Sequence, residues 1–392
     1  MRRPSLLIIF LTVFIDLIGF GIVMPLLPRY AERYGAHGLQ IGAIIGAFSL
    51  MQLVFAPWWG QLSDRIGRRP VLLISNLGAA GAYALFAVSA RYTGSAGLLI
   101  LLASRVFAGI CGANLSVASA YIADVTTPEN RSKGMGMIGM AFGLGFILGP
   151  VLGGIAFKHF GLAGPGWVAA LLCSLNFISG LFILAESRQP GSAQPERRMN
   201  RLAQIAHTIK VPQVGLLVGL YFLATFSFTC FESTIPLMLE KRFHFDEEKI
   251  GYLFAYCGLV GALIQGGLIG RLVKHFGEST LIWGSLMVVA ASLAALPYVG
   301  GLVTLLLVLA LFSAGSGINR APTMGLISRF TAADEQGATL GVAQSAATLA
   351  RVLGPVFATG LLNFSLAAPY LACAGIALTA GLLARQRLLP SK

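Results

Sequence analysis

Apolar runs separated by short polar breaks recur from end to end of the chain. Twelve of them, near residues 5–27, 39–62, 70–90, 97–122, 134–157, 165–185, 213–239, 250–270, 279–297, 302–328, 338–363 and 368–385, predict membrane-spanning helices. About 20 apolar residues rising 1.5 Å each cross a hydrocarbon core of roughly 30 Å. The first run follows Met1-Arg2-Arg3, as a signal peptide would. It reaches Leu27, holds Asp16 and lacks a small-residue cleavage site, so it is read as a span. The longest polar stretch, Glu186 to Gln213, contains Gln189-Pro190-Gly191-Ser192 and a basic, amphipathic segment from Arg198 to Lys210. It divides the spans six and six. The expected organisation is a bundle over 1–186, a linker over 187–212 and a second bundle over 213–392.

Composition agrees with this pattern. Charged residues make up 11 % of the 392 positions and hydrophobic ones 56 %, with 48 glycines; soluble domains carry about 25 % charge. A secreted enzyme, a nucleic-acid binder and a disordered tail are thereby excluded. The net charge of +13 is better placed in loops on one side of a membrane. With both termini in the cytoplasm, eighteen Lys and Arg fall on the terminal side, and seven fall opposite: Arg29, Arg33, Arg91, Lys158, Lys241, Arg242 and Lys249. The positive-inside rule sets that orientation. Cys111, Cys173, Cys230, Cys257 and Cys373 all sit in apolar runs without metal-ligand or paired spacing. No phosphate-binding loop, nucleophile elbow or metal motif occurs, so no enzyme activity, metal or bound cofactor is expected.

The two halves repeat each other. The loop Gly60-Gln61-Leu62-Ser63-Asp64-Arg65-Ile66-Gly67-Arg68 matches Gly270-Arg271-Leu272-Val273-Lys274-His275-Phe276-Gly277-Glu278 at an offset of 210. Asp64 becomes Lys274, and Arg68 becomes Glu278. At an offset of 205, Asn114 matches Asn319, Asp124 matches Arg329, and Gly149-Pro150 matches Gly354-Pro355. The implied architecture is an all-α integral membrane protein of twelve transmembrane helices in two pseudo-symmetric six-helix bundles of parallel topology.

The run Gly60 to Pro70, GQLSDRIGRRP, resembles the loop signature of the major facilitator superfamily. Arg105-x-x-x-Gly109-x-x-Gly112 is similar to that family's arginine motif, with Ala108 where glutamine is usual. Gly145-x-x-x-Gly149-Pro150-x-x-Gly153-Gly154 looks like the signature of its proton antiporters. Asp16, Met24-Pro25-Leu26-Leu27-Pro28 and Phe55-Ala56-Pro57-Trp58 resemble the bacterial tetracycline and multidrug efflux branch, although Ala82 and Val289 stand where tetracycline exporters carry acids. The resemblance implies the major facilitator fold in a bacterial inner membrane, a monomer, and proton-coupled efflux of small amphipathic organic substrates by alternating access. A proton gradient would drive it, with no other cofactor and no nucleic-acid partner. It also implies gating by Gly60, Asp64, Arg65, Gly67, Arg68, Asp124, Lys274 and Glu278.

Glycines at four-residue spacing put small surfaces on one helix face, so Gly145, Gly149 and Gly153, with Pro150 and Gly154, predict close helix packing. Charges inside a span are costly and line a polar path or pair with one another. Five are present: Asp16, Arg105, Glu232, Arg320 and Arg351. Asp16 and Glu232 are candidates for carrying a proton or meeting a substrate, and the alternative is a structural ion pair with Arg105 or Arg320. Arg105 would tune a neighbouring acid. Asn114, Phe228, Asn319 and Arg320 complete the candidate substrate contacts, with helix packing the alternative for Phe228. Arg320 and Arg105 equally suit an anionic metabolite, and a lipid flippase on the same fold is a further reading.

Overall fold

The computed structural model describes residues 4–112, 114–188, 201–332 and 335–389. Every extended element among them is helical: α1 Leu6–Val23, α2 Leu27–Arg33, α3 Leu39–Ile66, α4 Arg68–Ser89, α5 Gly94–Cys111, α6 Asn114–Val125, α7 Pro128–Phe160, α8 Gly164–Ile183, α9 Arg201–Lys210, α10 Pro212–Phe243, α11 Glu247–Leu263, α12 Ile269–Phe276, α13 Glu278–Ala295, α14 Leu302–Arg329, α15 Gln336–Leu361 and α16 Ala368–Leu388.

These account for the twelve predicted spans. The first is α1 with α2, the fourth α5 with α6, and the eighth α11 with α12 across a π-turn at Ile264–Leu268. The fifth and sixth, α7 and α8, are separated only by a 3₁₀ turn at Gly161–Ala163. Prolines lie inside α3, α7, α10, α14 and α15, at Pro57, Pro150, Pro236, Pro322 and Pro355. Bundled membrane helices tolerate such breaks because neighbouring helices satisfy the freed carbonyls. Two glycines make the matching tight corners of the repeat. Gly67 has φ 101° between α3 and α4, and Gly277 has φ 76° between α12 and α13. A residue with a β-carbon is strained at either position.

The chain divides into two compact units. The first comprises Met1–Gln194 and Pro236–Gly258, and so takes in the end of α10 and most of α11. Within it α1 packs on α7 and α8, and α4 on α5 and α8, around Ile9, Val13, Leu17, Val71, Leu72, Tyr121 and Ile122. The second comprises Pro195–Ile235 and Leu259–Lys392. There α13 packs on α14 and α16, and Leu217, Tyr221, Ile282, Leu286, Ile327 and Ala343 form the core. Inside the expected linker, α9 packs on α15 and His207 Nε2 lies 3.3 Å from Glu335 Oε1; linker residues 189–200 lie outside the described residues.

Candidate functional site

The Asp64 loop is built as a knot of charge. Arg68 Nη1 lies 2.7 Å from Asp64 Oδ1, four residues back across the Gly67 corner, and Arg68 Nε donates to Asp124 Oδ2 at 3.1 Å. Arg68 Nη1 also donates to Ser63 Oγ at 2.6 Å, while Ser187 Oγ donates to Asp124 Oδ2 at 3.0 Å. One guanidinium thus ties the end of α3, the start of α4 and the end of α6. Beside it, the N–H groups of Arg68 and Arg69 donate to the carboxylate of Glu186 at 2.8 and 3.0 Å. That carboxylate caps the start of α4, where the helix dipole favours an anion. It also fills the space a β-carbon on Gly67 would occupy. Sequence reasoning passed over this cap, since Glu186 reads there only as the first residue of a polar stretch. Arg65 and Lys274 are exposed. A β-carbon at Gly60 would meet nothing within 4 Å, so close approach does not account for that glycine.

The second unit repeats the device with the signs exchanged. Arg329 Nη1 lies 2.9 Å from Glu278 Oε2, joining the end of α14 to the start of α13.

Helix α7 carries two close-packed faces. A β-carbon added to Gly149 would fall 2.6 Å from Gly21 Cα, one on Gly145 2.9 Å from Leu17 Cβ, and one on Gly153 2.6 Å from the Ile22 carbonyl oxygen. These three glycines therefore seat α7 directly on α1. Gly154 faces the other way, where a β-carbon would fall 2.8 Å from Glu248 Cα, and the Pro150 carbonyl abuts Gly251. In the second unit Gly354 of α15 packs against Phe226 and Thr229 of α10, the equivalent of the α7–α1 contact.

The intramembrane charges form separate groups within each unit. Arg105, 2 % exposed, stands over the Tyr83 and Phe86 rings at 5.6 and 5.2 Å, and its Nη2 has no hydrogen-bond partner among the described residues. Half-buried Asp16 is an electrostatic neighbour of Tyr83 and Cys173, and Arg105 is a neighbour of Tyr83 as well, so both charges lie near the same ring. In the second unit Glu232 is 5 % exposed, its Oε1 is without a hydrogen-bond partner among the described residues, and Arg351 is its electrostatic neighbour. Arg351 also senses Arg320 and Tyr221. Asn319 donates from Nδ2 to Ser285 Oγ at 3.0 Å, tying α14 to α13. Phe228 stacks on Phe312 with centroids 6.1 Å apart. Both the amide of Asn319 and the ring of Phe228 thus take part in helix packing. The side chain of Asn114 lies outside the described residues.

The family model "Major Facilitator Superfamily" matches residues 9–344 and 217–391. The chain belongs to that superfamily. Over 358 residues it is 32 % identical to the tetracycline resistance protein, class B, of Escherichia coli, covering 90 % of this chain and 87 % of that one. The class E protein of Escherichia coli is 35 % identical over 355 residues, covering 88 % and 84 %. The crystal structure of the human organic anion transporter MFSD10 superposes with a TM-score of 0.72 at 27 % identity, covering 97 % of this chain and all of that one. The protein is a multi-pass membrane transporter.

A further ion-pair group of this transporter lies at the end of the spans opposite the Asp64 loop. Arg29 and Arg33 at the end of the first span, Glu32 between them, and Lys158 at the end of α7 pair with Glu240, Lys241, Glu247 and Glu248. In the sequence these basic residues read only as the minority on the less basic side. Their acidic partners lie more than 80 positions away, and no repeat or motif marks them.

Proposed function

We propose that the chain is a proton-coupled exporter of amphipathic organic compounds, working by alternating access in a bacterial inner membrane with both termini in the cytoplasm. The observation that carries this reading is Glu232, a carboxyl group enclosed in α10 with one oxygen lacking a hydrogen-bond donor among the described residues. A buried, unsatisfied oxygen is far less costly on a neutral acid than on a carboxylate, so the site suits a group that takes up and releases a proton. Asp16 and Arg105, both neighbours of Tyr83, form a second such group in the first unit. The relatives named for tetracycline resistance support export of an organic compound. Buried Ala82 and Val289 line the third and ninth spans where an acid would be needed for a metal chelate, which favours other substrates.

One observation supports a second reading. Arg351 is the electrostatic neighbour both of the acid Glu232 and of a second cation, Arg320, and this net positive group suits an organic anion, the class named for human MFSD10. The test is a panel of cationic, neutral and anionic compounds added to proteoliposomes holding an imposed proton gradient. Substrate-dependent collapse of the gradient by cations or neutral amphiphiles supports export in exchange for protons; collapse by anions alone selects the second reading; collapse by none rejects proton coupling.

A further inference from the structure

The last helix, α16, leaves an apolar face open and ends it on a cation. Leu371, Leu378 and Leu382 are exposed, and their helical spacing puts them on one face with Arg385, which is exposed one turn beyond Leu382. In a spanning helix such a face lies against acyl chains, and its basic end reaches the headgroups. The same end of α16 packs on the start of α13. A β-carbon on Gly381 would sit 3.0 Å from Met287 Sδ, and one turn farther along both helices the Arg385 guanidinium stands 5.7 Å from the centroid of the Trp283 ring. This pair is short of acceptors. The indole Nε1 of Trp283 is buried with no hydrogen-bond partner among the described residues, although a buried indole N–H ordinarily finds one. The side chains of Arg385 and Arg387 make no hydrogen bond or ion pair among the described residues. The equivalent seam of the first unit, between α4 and α8, is closed by the protein itself, with Arg69 Nη2 donating to the Leu181 carbonyl at 2.8 Å.

We propose that Trp283, Arg385 and the leucine face of α16 bind one anionic phospholipid. Its phosphate accepts from the Arg385 guanidinium and the indole N–H, and an acyl chain runs along Leu382, Leu378 and Leu371. A phosphodiester offers paired oxygens that match the guanidinium fork. Arg385, exposed and held by no hydrogen bond, is free to carry the phosphate to the indole N–H. The charge of the group selects the headgroup. Arg385 and Arg387 have no carboxylate partner among the described residues, so a lipid of net negative charge is favoured; the ammonium of a zwitterionic headgroup would add a further cation. The helix dipole accounts for basic residues in the last turn of α16. It does not account for a guanidinium laid over an indole whose N–H is unused.

The test uses the full chain in phosphatidylcholine vesicles containing equal fractions of either brominated phosphatidylglycerol or brominated phosphatidylcholine, since bromine on an acyl chain quenches an indole it touches. The difference between the parent and Trp283→Phe isolates the signal of Trp283 from those of the other three tryptophans. Brominated phosphatidylglycerol is expected to bind there on the order of tenfold more strongly than brominated phosphatidylcholine, the size of one charge-assisted contact. Arg385→Gln should bring that ratio to about 1, and Arg385→Lys, which keeps the charge but not the fork, should retain part of it. Arg271→Gln removes an exposed charge from α12, outside the site, and should leave the preference intact. Equal quenching by the two lipids, a preference that survives Arg385→Gln, or an equal loss in Arg271→Gln overturns the site. Displacement of the brominated lipid by millimolar inorganic phosphate also overturns it, because the ligand is then a soluble anion. Quenching needs neither substrate nor proton gradient, so the lipid site can fail while proton-coupled export stands, and the reverse.

Discussion

Arg68 and Asp124 are held Nε to Oδ2 at 3.1 Å, and the corresponding pair of the second unit, Glu278 and Arg329, meets at 2.9 Å with the signs exchanged. The geometry survived duplication while the polarity reversed, so what has been kept is attraction between these two helix ends and not a particular charge. The two copies differ in shelter. The Arg68 side chain is 11 % exposed and also holds Asp64, whereas that of Arg329 is 74 % exposed. Exposed pairs contribute about 0–1 kcal/mol.

Asp64→Asn and Asp124→Asn should therefore slow exchange between the two access states more than they weaken substrate binding, while Arg329→Gln has a small effect on both. Single-turnover efflux measured alongside equilibrium binding separates the two quantities. Wild-type exchange rates in well-folded Asp64→Asn and Asp124→Asn would remove the knot from gating.

The glycines of α7 divide sharply by position. Gly149→Ala places a methyl group 2.6 Å from Gly21 Cα, backbone against backbone, with nothing flexible to give way. Overpacking of this kind costs about 1–3 kcal/mol. Gly143→Ala on the same helix meets nothing within 4 Å and should be neutral or slightly stabilising, since alanine is the better helix former. Thermal unfolding in detergent should rank the variants in that order; equal melting temperatures would contradict the α1–α7 seating.

Much of this architecture is legible in the sequence for a physical reason. A bilayer imposes span lengths directly, and a tight loop such as Gly67 or Gly277 must spend its glycine where φ is positive, so twelve spans and the paired corners are written locally. The charge-reversed loops could be read because duplication supplied an internal reference. The pairing of Asp64 with Arg68 is visible only in the fold, since loop spacing does not say which way a side chain turns. Glu186 and the Arg29 group were illegible because their partners lie far along the chain and only folding brings them together. Asn319, marked by the repeat as a substrate contact, spends its amide on Ser285, a partner in another helix that no local pattern predicts.

Asp16 sits half-buried in α1 and acts on the same tyrosine, Tyr83, as Arg105. If it carries a proton, Asp16→Asn leaves an uncharged group of nearly the same shape that cannot release one. Accumulation against a gradient should fall to background while binding and downhill exchange persist. The comparison is pH-driven uptake into inverted vesicles against substrate counterflow at equal pH, and full pH-driven accumulation by the variant would take Asp16 out of the coupling path.

Glu232 and Arg320 offer opposite signs to a substrate, and their variants separate the two functional readings. A direct contact between unit charges at 4 Å is worth about 4 kcal/mol at an effective dielectric constant near 20, so its loss changes affinity by orders of magnitude, whereas an indirect influence does not. For an exporter of lipophilic cations, Glu232→Gln should lose charged ligands while retaining neutral ones of the same shape, and Arg320→Ala should matter less. Arg351 complicates the reverse case, because it is an electrostatic neighbour of both groups: removing Arg320 leaves a second guanidinium beside Glu232, so anion binding would weaken without vanishing. Binding of matched cationic, neutral and anionic ligands to both variants reads this directly. Selective loss of the anion in Arg320→Ala, with cation affinity untouched in Glu232→Gln, would overturn cation export in favour of anion transport.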